Sequence, residues 1–168
     1  SLLKKVVNRA VANNKIAFNP FASYKLERQE VSPDFLNEDE LRRIINFNSP
    51  LPRLERTRDM FLFACYTGLS YIDVKTLKVE HLERDNQGRM WIKKKRVKTG
   101  VLARIPLLPN AKMLIDKYAG GDTLMPIYSD KDINLYLKDI AILCHIDKRI
   151  TYHTARHTFA TTIIFNSI

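Results

Sequence analysis

The segment from Leu54 to Tyr66 limits the fold more than any other part of the chain. It reads as one helix, and Met60, Phe61, Phe63, Ala64 and Cys65 leave it apolar on nearly every side. A helix without a polar face is buried all round, so the remaining elements must wrap it. The chain has 168 residues, 45% of them apolar. That is enough for one such core, with or without a piece of a second domain, and too apolar for a disordered chain.

The elements around this helix are short and mostly helical. Leu2, Leu3, Val6, Val7, Ala10 and Val11 recur at helical spacing, and Asn13-Asn14 followed by Asn19-Pro20 ends that run. Ser23 to Ser32 is charged and aperiodic, with Pro33 after it, and reads as a linker. Asn37 and Glu40 have the spacing of a capping box, stapled by Leu36 and Leu41. Leu41, Ile44 and Ile45 form the expected buried stripe of that helix, and Ser49-Pro50-Leu51-Pro52 breaks it. Thr67-Gly68-Leu69 turns the chain out of the core helix into a short helix through Asp73, Val74 and Leu77. Later helices are expected over Ala111–Tyr118, over Asp132–Leu143 and from His153 onward. One β signal interrupts them. Trp91-Ile92 and Val101 to Ile105 flank Lys98-Thr99-Gly100 as a hairpin, with Leu82 offering a third strand. The expected class is mainly α with a small antiparallel hairpin sheet, α+β.

The net charge of +10 points to a polyanionic partner, by default nucleic acid. From Arg89 to Arg104, seven of sixteen residues are Lys or Arg and none is acidic. Lys93, Lys94, Lys95 and Arg96 could lie across a phosphate backbone. The lysines could equally guard an exposed sheet edge. Strand alternation would put Arg96 and Lys98 on one face, opposite Lys95 and Val97. Lys98 stands at the turn, where its side chain can reach outward. Farther along, His153 and Arg156 are three apart and share a helical face. An imidazole beside a guanidinium suits a phosphate oxyanion.

Cys65 and Cys144 lie far apart in apolar surroundings and read as buried thiols, with neither disulfide nor zinc spacing. No metal or cofactor is expected. No stretch approaches the ~18 consecutive apolar residues of a membrane span, and none reads as a signal peptide. The chain starts at Ser1 without Met and stops at Ile168 inside an apolar helical pattern, so it reads as a piece of a longer protein.

Taken in order, these pieces resemble the tyrosine recombinases, the phage-integrase family. The resemblance is carried by Phe35-Leu36-Asn37-Glu38-Asp39-Glu40-Leu41, Thr67-Gly68-Leu69, Lys98-Thr99, Ile105-Pro106-Leu107 and His153-Thr154-Ala155-Arg156-His157-Thr158-Phe159-Ala160. It implies a C-terminally truncated tyrosine-recombinase catalytic fold over residues 31–168. Residues 1–30 would be the last helix and linker of a core-binding domain. It implies a site-specific recombinase or integrase that cleaves and rejoins double-stranded DNA through a 3′-phosphotyrosyl intermediate, without metal. By this match Arg156 binds non-bridging phosphate oxygens, His153 donates to an oxygen or moves a proton, and Lys98 protonates the leaving 5′-oxygen. His157 matches the pattern too, or is a structural, hydrogen-bonded histidine. The whole protein would act as a tetramer on DNA, cytoplasmic and nucleoid-associated in a bacterium, while the present chain would be a monomer.

The chain departs from the family pattern in two places. Where the family carries Thr-Gly-Leu-Arg, this chain has Thr67-Gly68-Leu69-Ser70, a variation it shares with some conjugative-transposon integrases. Ser70 supplies no permanently charged fork. Asp73 matches the acid that normally orients the missing arginine. Arg96 either takes over its role or contacts a phosphate away from the scissile one. None of Tyr24, Tyr66, Tyr71, Tyr118, Tyr128, Tyr136 and Tyr152 matches the nucleophile position, so the nucleophile would lie beyond Ile168 and this chain alone would form no covalent adduct. The alternatives are a non-catalytic DNA-binding module and a type IB topoisomerase-like enzyme.

Overall fold

The computed structural model describes residues 2–21, 35–121 and 123–163. The linker reading of Ser23 to Ser32 and the last residues up to Ile168 lie outside these. The chain divides into two units, Ser1–Ser32 and Pro33–Ile168. In the first unit, α1 spans Leu2–Ala12, and Leu3 and Val6 of its apolar stripe are exposed. Asn19 ties the exit back to the helix by donating from its Nδ2 to Asn8 Oδ1 at 2.7 Å.

In the second unit the core helix is α3, Pro52–Thr67, with Pro52 in its first turn, where a missing N–H costs nothing. Every residue from Thr57 to Leu69 is buried. The expected wrapping is there: α2 (Glu38–Asn46), α5 (Pro109–Lys117), α6 (Asp130–Leu143) and α7 (Tyr152–Thr158) all pack on α3. Cys65 and Cys144 are buried and free.

The polar groups that enter this core come with partners. Asp59 is wholly buried and accepts from Arg58 Nε at 2.9 Å, Lys117 Nζ at 2.7 Å and Tyr118 Oη at 2.6 Å. Burial pushes its carboxyl up, but the three donors outweigh that and hold it below the ordinary value.

Asn37 caps α2 with Glu40 in a reciprocal capping box. The stripe of α2 differs from expectation in one residue. Leu41 and Ile44 are buried, but Ile45 is 42% exposed, and Glu40 takes the inner position instead, bonded to Lys148 Nζ at 2.8 Å. Ile45 lies a further 100° round from Ile44, past the edge of the contact with α3.

Thr67-Gly68-Leu69 leads from α3 into α4, Tyr71–Lys75. The sheet follows as an antiparallel meander, β1 (Leu82–Arg84), β2 (Met90–Lys95) and β3 (Leu102–Pro106), in the order β1-β2-β3. Ile92 pairs with Leu82 and Ile105, and Ile92 and Ile105 face the core. Lys94 lies two residues beyond Ile92 on the same inner face and is only 6% exposed. Its Nζ donates to Thr76 O at 3.0 Å, at the C-terminal end of α4. The expectation that Lys94 meets DNA therefore fails.

Strand β2 ends at Lys95, and the hairpin closes through Arg96 N–H to Val101 O at 2.9 Å and Gly100 N–H to Arg96 O at 2.8 Å. Val97, Lys98 and Thr99 form the turn. The strand argument that placed Arg96 and Lys98 on one face therefore has no strand to act on.

Candidate active site

Helix α7 sets the geometry. Its inner face is fixed from three sides. Tyr152 N–H donates to Asn134 Oδ1 of α6 at 2.8 Å, and Tyr152 Oη donates to Met60 O of α3 at 3.4 Å. Thr158 Oγ1 accepts from Leu36 N–H at 3.0 Å and donates to Thr154 O at 2.9 Å. Tyr152, Thr154, Ala155 and Thr158 are buried, which turns His153, Arg156 and His157 outward. The helical spacing read from the sequence thus becomes a shared exposed face. Among the described residues the imidazole of His157 makes no hydrogen bond. It stands edge-on to the His153 ring, with centroids 4.6 Å apart.

Gly68 brings a second segment to this face. It caps α3 in the left-handed conformation, with φ +63°. A Cβ there would lie 2.5 Å from Cδ1 of Phe159, the residue that follows α7. This close approach sets the Leu69-Ser70-Tyr71 turn beside α7. A cleft of about 260 Å³ opens between them, lined by Ser70, Tyr71, Asn134, Thr151, His153 and Arg156 among others. Asn134, Thr151 and Tyr71 had no local signal in the sequence. Asn134 is reached only through the packing of α6 on α7.

Ser70 caps α4 and its hydroxyl donates to Asp73 Oδ2 at 2.7 Å. Asp73 is buried, and its Oδ1 accepts from Val97 N–H at 2.8 Å. The Ser70–Asp73 pair therefore holds the hairpin turn by its backbone, one residue from Lys98. Lys98 is exposed at that turn. Burial depresses the His153 pKa first, and the positive charges of His157, Arg156 and Lys98 lower it further. An imidazole so placed is mostly neutral near pH 7 and can take or give a proton.

Neither Lys98 nor the other basic candidates of the hairpin line the cleft. Lys93 Nζ pairs with Glu83 at 3.0 Å across the sheet, and Lys95 is exposed. Arg96 does not line the cleft, and its Nη1 is buried without a partner among the described residues. Tyr152 points into the core, where burial raises its phenol far above the ordinary value, and Tyr71 Oη donates to Tyr128 O at 2.9 Å. Among the described residues no cluster of three or more His, Cys, Asp or Glu side chains is arranged to hold a metal ion. No described helix is long and apolar enough to cross a membrane.

Residues 34–168 match the phage integrase family. No curated protein matches the chain. Solved structures of integrases and of a site-specific recombinase share its fold. One is a lambda integrase dimer bound to a COC′ core site, at 21% identity and a TM-score of 0.73, covering 94% of this chain and 60% of that one. The Tn1549 transposon integrase in complex with circular intermediate DNA has 16% identity and a TM-score of 0.73, covering 99% and 64%. The XerH site-specific recombinase bound to a palindromic difH substrate has 18% identity and a TM-score of 0.61, covering 80% and 43%. At these identities the likeness is one of fold. The chain spans about 60% of the lambda integrase chain it matches.

Proposed function

The chain belongs to the phage integrase family, and on that premise we propose that it is the DNA-facing catalytic part of a site-specific tyrosine recombinase. The observation that carries the reading is the cleft where the Ser70 turn meets His153 and Arg156, with the charge of Lys98 acting on His153. A DNA phosphate is the ligand that suits it. The guanidinium of Arg156 takes two non-bridging oxygens, and the neutral His153 donates one hydrogen bond or relays a proton. A tyrosine hydroxyl attacks phosphorus and passes its proton to the neutral imidazole of His153, and the P–O5′ bond breaks. The ammonium of Lys98 gives its proton to the departing 5′-oxygen. The products are a 3′-phosphotyrosyl bond and a free 5′-hydroxyl, and the reverse sequence rejoins the strands.

The attacking tyrosine comes from sequence outside these 168 residues. Tyr152 is buried against α3, and the hydroxyls of Tyr71 and Tyr118 are spent on Tyr128 O and Asp59. Ser70 offers no positive charge, and a missing preorganised donor costs a few kcal/mol of transition-state stabilisation. Arg96, which does not line the cleft, is the candidate we name to supply it, since its buried guanidinium nitrogen has no partner among the described residues. Residues 1–30 would belong to a preceding core-binding domain. The whole protein would act on double-stranded DNA at the nucleoid as a tetramer, the present chain alone being a monomer.

The test is an assay for a denaturant-stable protein–DNA adduct on a nicked suicide duplex. The 168-residue chain gives none, while a longer chain carrying the downstream tyrosine does. Lys98→Ala, His153→Ala and Arg156→Ala each lose the adduct in that longer chain, and Arg96→Ala and Arg96→Lys slow its formation. One observation favours a second reading. The hydroxyl of Ser70 is already committed to Asp73, as it would be in a DNA-binding module that no longer cleaves. DNA binding without any adduct from the longer chain would establish that reading instead.

A further inference from the structure

Residues 144–151 join α6 to α7 without a helix or strand, so the place of α7 depends on contacts rather than on the covalent link. Tyr152 is the first residue of α7, and a first-turn N–H has no acceptor within its own helix. The N-cap residue Thr151 serves Thr154 instead, whose N–H donates to Thr151 O at 2.9 Å. The Tyr152 N–H goes to Asn134 Oδ1 of α6 at 2.8 Å. Asn134 in turn donates from its Nδ2 to Asp130 O, one turn back on α6, at 2.8 Å. Turned the other way, its amide would set an NH2 group against the Tyr152 N–H and an oxygen against Asp130 O, so one orientation satisfies both bonds.

Tyr152 passes this constraint to both walls of the cleft. His153 follows it directly in the chain, and Arg156 lies one turn farther along the same helix. The ring of Tyr152 stands edge-on to that of Tyr71 in the opposite wall, with centroids 5.9 Å apart. Other ties of α7 act elsewhere. Tyr152 Oη reaches Met60 O at 3.4 Å from the tip of its ring, and Thr158 holds the far end through Leu36 N–H. Asn134 thus holds the backbone next to His153.

We propose that Asn134 is a positioning residue of the cleavage site, one that acts through Tyr152 and not on DNA. It fixes the height of His153 and Arg156 against the phosphate, and a displacement of about 1 Å there costs about 100-fold in rate. The inference rests on the recombinase reading above and deepens it. Asn134 is half-buried and lines the cleft, but its amide has little left for a phosphate, since its oxygen and one N–H are already committed.

The test uses the longer chain that carries the downstream tyrosine. Single-turnover adduct formation on a nicked suicide duplex is measured against DNA concentration. Asn134→Ala lowers the rate at saturating DNA by about 10- to 100-fold and leaves the half-saturating concentration near that of the wild type. Hydrogen exchange at the Tyr152 amide quickens in the same variant. Asn134→Asp keeps an acceptor at the same reach, and recovers the amide protection and part of the rate. Ser129→Ala removes the N-cap of α6, so it weakens the same helix without removing a bond to α7, and it keeps the wild-type saturated rate. A wild-type saturated rate in Asn134→Ala would overturn the proposal and leave the recombinase reading standing. So would a loss confined to the half-saturating concentration, the mark of a DNA contact. An equal loss in Ser129→Ala would overturn it too, as the mark of a general weakening of α6. A wild-type longer chain that forms no adduct would refute the recombinase reading, and the positioning role with it.

Discussion

Gly68→Ala tests how the cleft is assembled. The glycine sits at φ +63°, where an L-residue pays about 1–2 kcal/mol. The new Cβ would also stand 2.5 Å from Cδ1 and 2.8 Å from Cε1 of Phe159, well inside contact distance. Forcing a methyl group into a packed contact costs about 1–3 kcal/mol. The sum is about 2–5 kcal/mol, a fall in Tm of roughly 4–20 °C at 2–4 °C per kcal/mol. Thermal and urea unfolding read this directly. The two contributions separate in a double-mutant cycle with Phe159→Ala. Removing the ring relieves the steric part and leaves the dihedral part, so the cycle shows a favourable coupling of about 1–3 kcal/mol. A Gly68→Ala protein within about 0.5 kcal/mol of wild type would refute the reasoning. So would a loss that Phe159→Ala does not change.

Three further outcomes follow from the same contacts. Asp73→Ala removes the acceptor of Val97 N–H and Ser70 Oγ, costing about 1–3 kcal/mol, and speeds hydrogen exchange at the Val97 amide. Wild-type exchange at that amide would show that Asp73 does not hold the turn. Lys94→Ala loses the bond to Thr76 O and about 1–3 kcal/mol of stability while leaving the salt slope of DNA binding alone, whereas Lys95→Ala keeps stability and lowers that slope by about 1. The reverse pattern in the two variants would contradict the burial of Lys94. Asp59 has a folded-state pKa below its unfolded value of 3.8, so its contribution is full above that pH and is lost as pH falls through the lower folded value. Asp59→Asn should therefore flatten the acid limb of the stability–pH curve. An unchanged acid limb would remove Asp59 from the account.

The features legible in the sequence were those encoded within a few residues. The apolar run around Met60 and Phe63 gave the buried α3, and Asn37 with Glu40 gave the start of α2. The His153–Arg156 spacing gave their common face. Ile45 falls outside the buried stripe because a helical stripe read from spacing has no sharp edge. Charge alone groups Lys94 with Lys93 and Lys95, whereas the alternation of β2 puts it with Ile92 on the inner face. Arg96 and Lys98 lie beyond a strand that ends at Lys95, so alternation says nothing of their faces. The assembly of the cleft had no local signature. Gly68 meets Phe159 from the far end of the second unit, and Asp73 reaches Val97 across 24 residues, contacts that only tertiary packing creates.

The measurement that bears most directly on the convergence of hairpin turn and α7 is an NMR titration of the His153 ring in wild type and in Lys98→Ala. The account predicts a wild-type pKa below the ordinary 6.5 and a rise toward it when the ammonium is removed. A titration of His153 that Lys98→Ala leaves unmoved would place the hairpin lysine away from the imidazole and contradict the shared phosphate site.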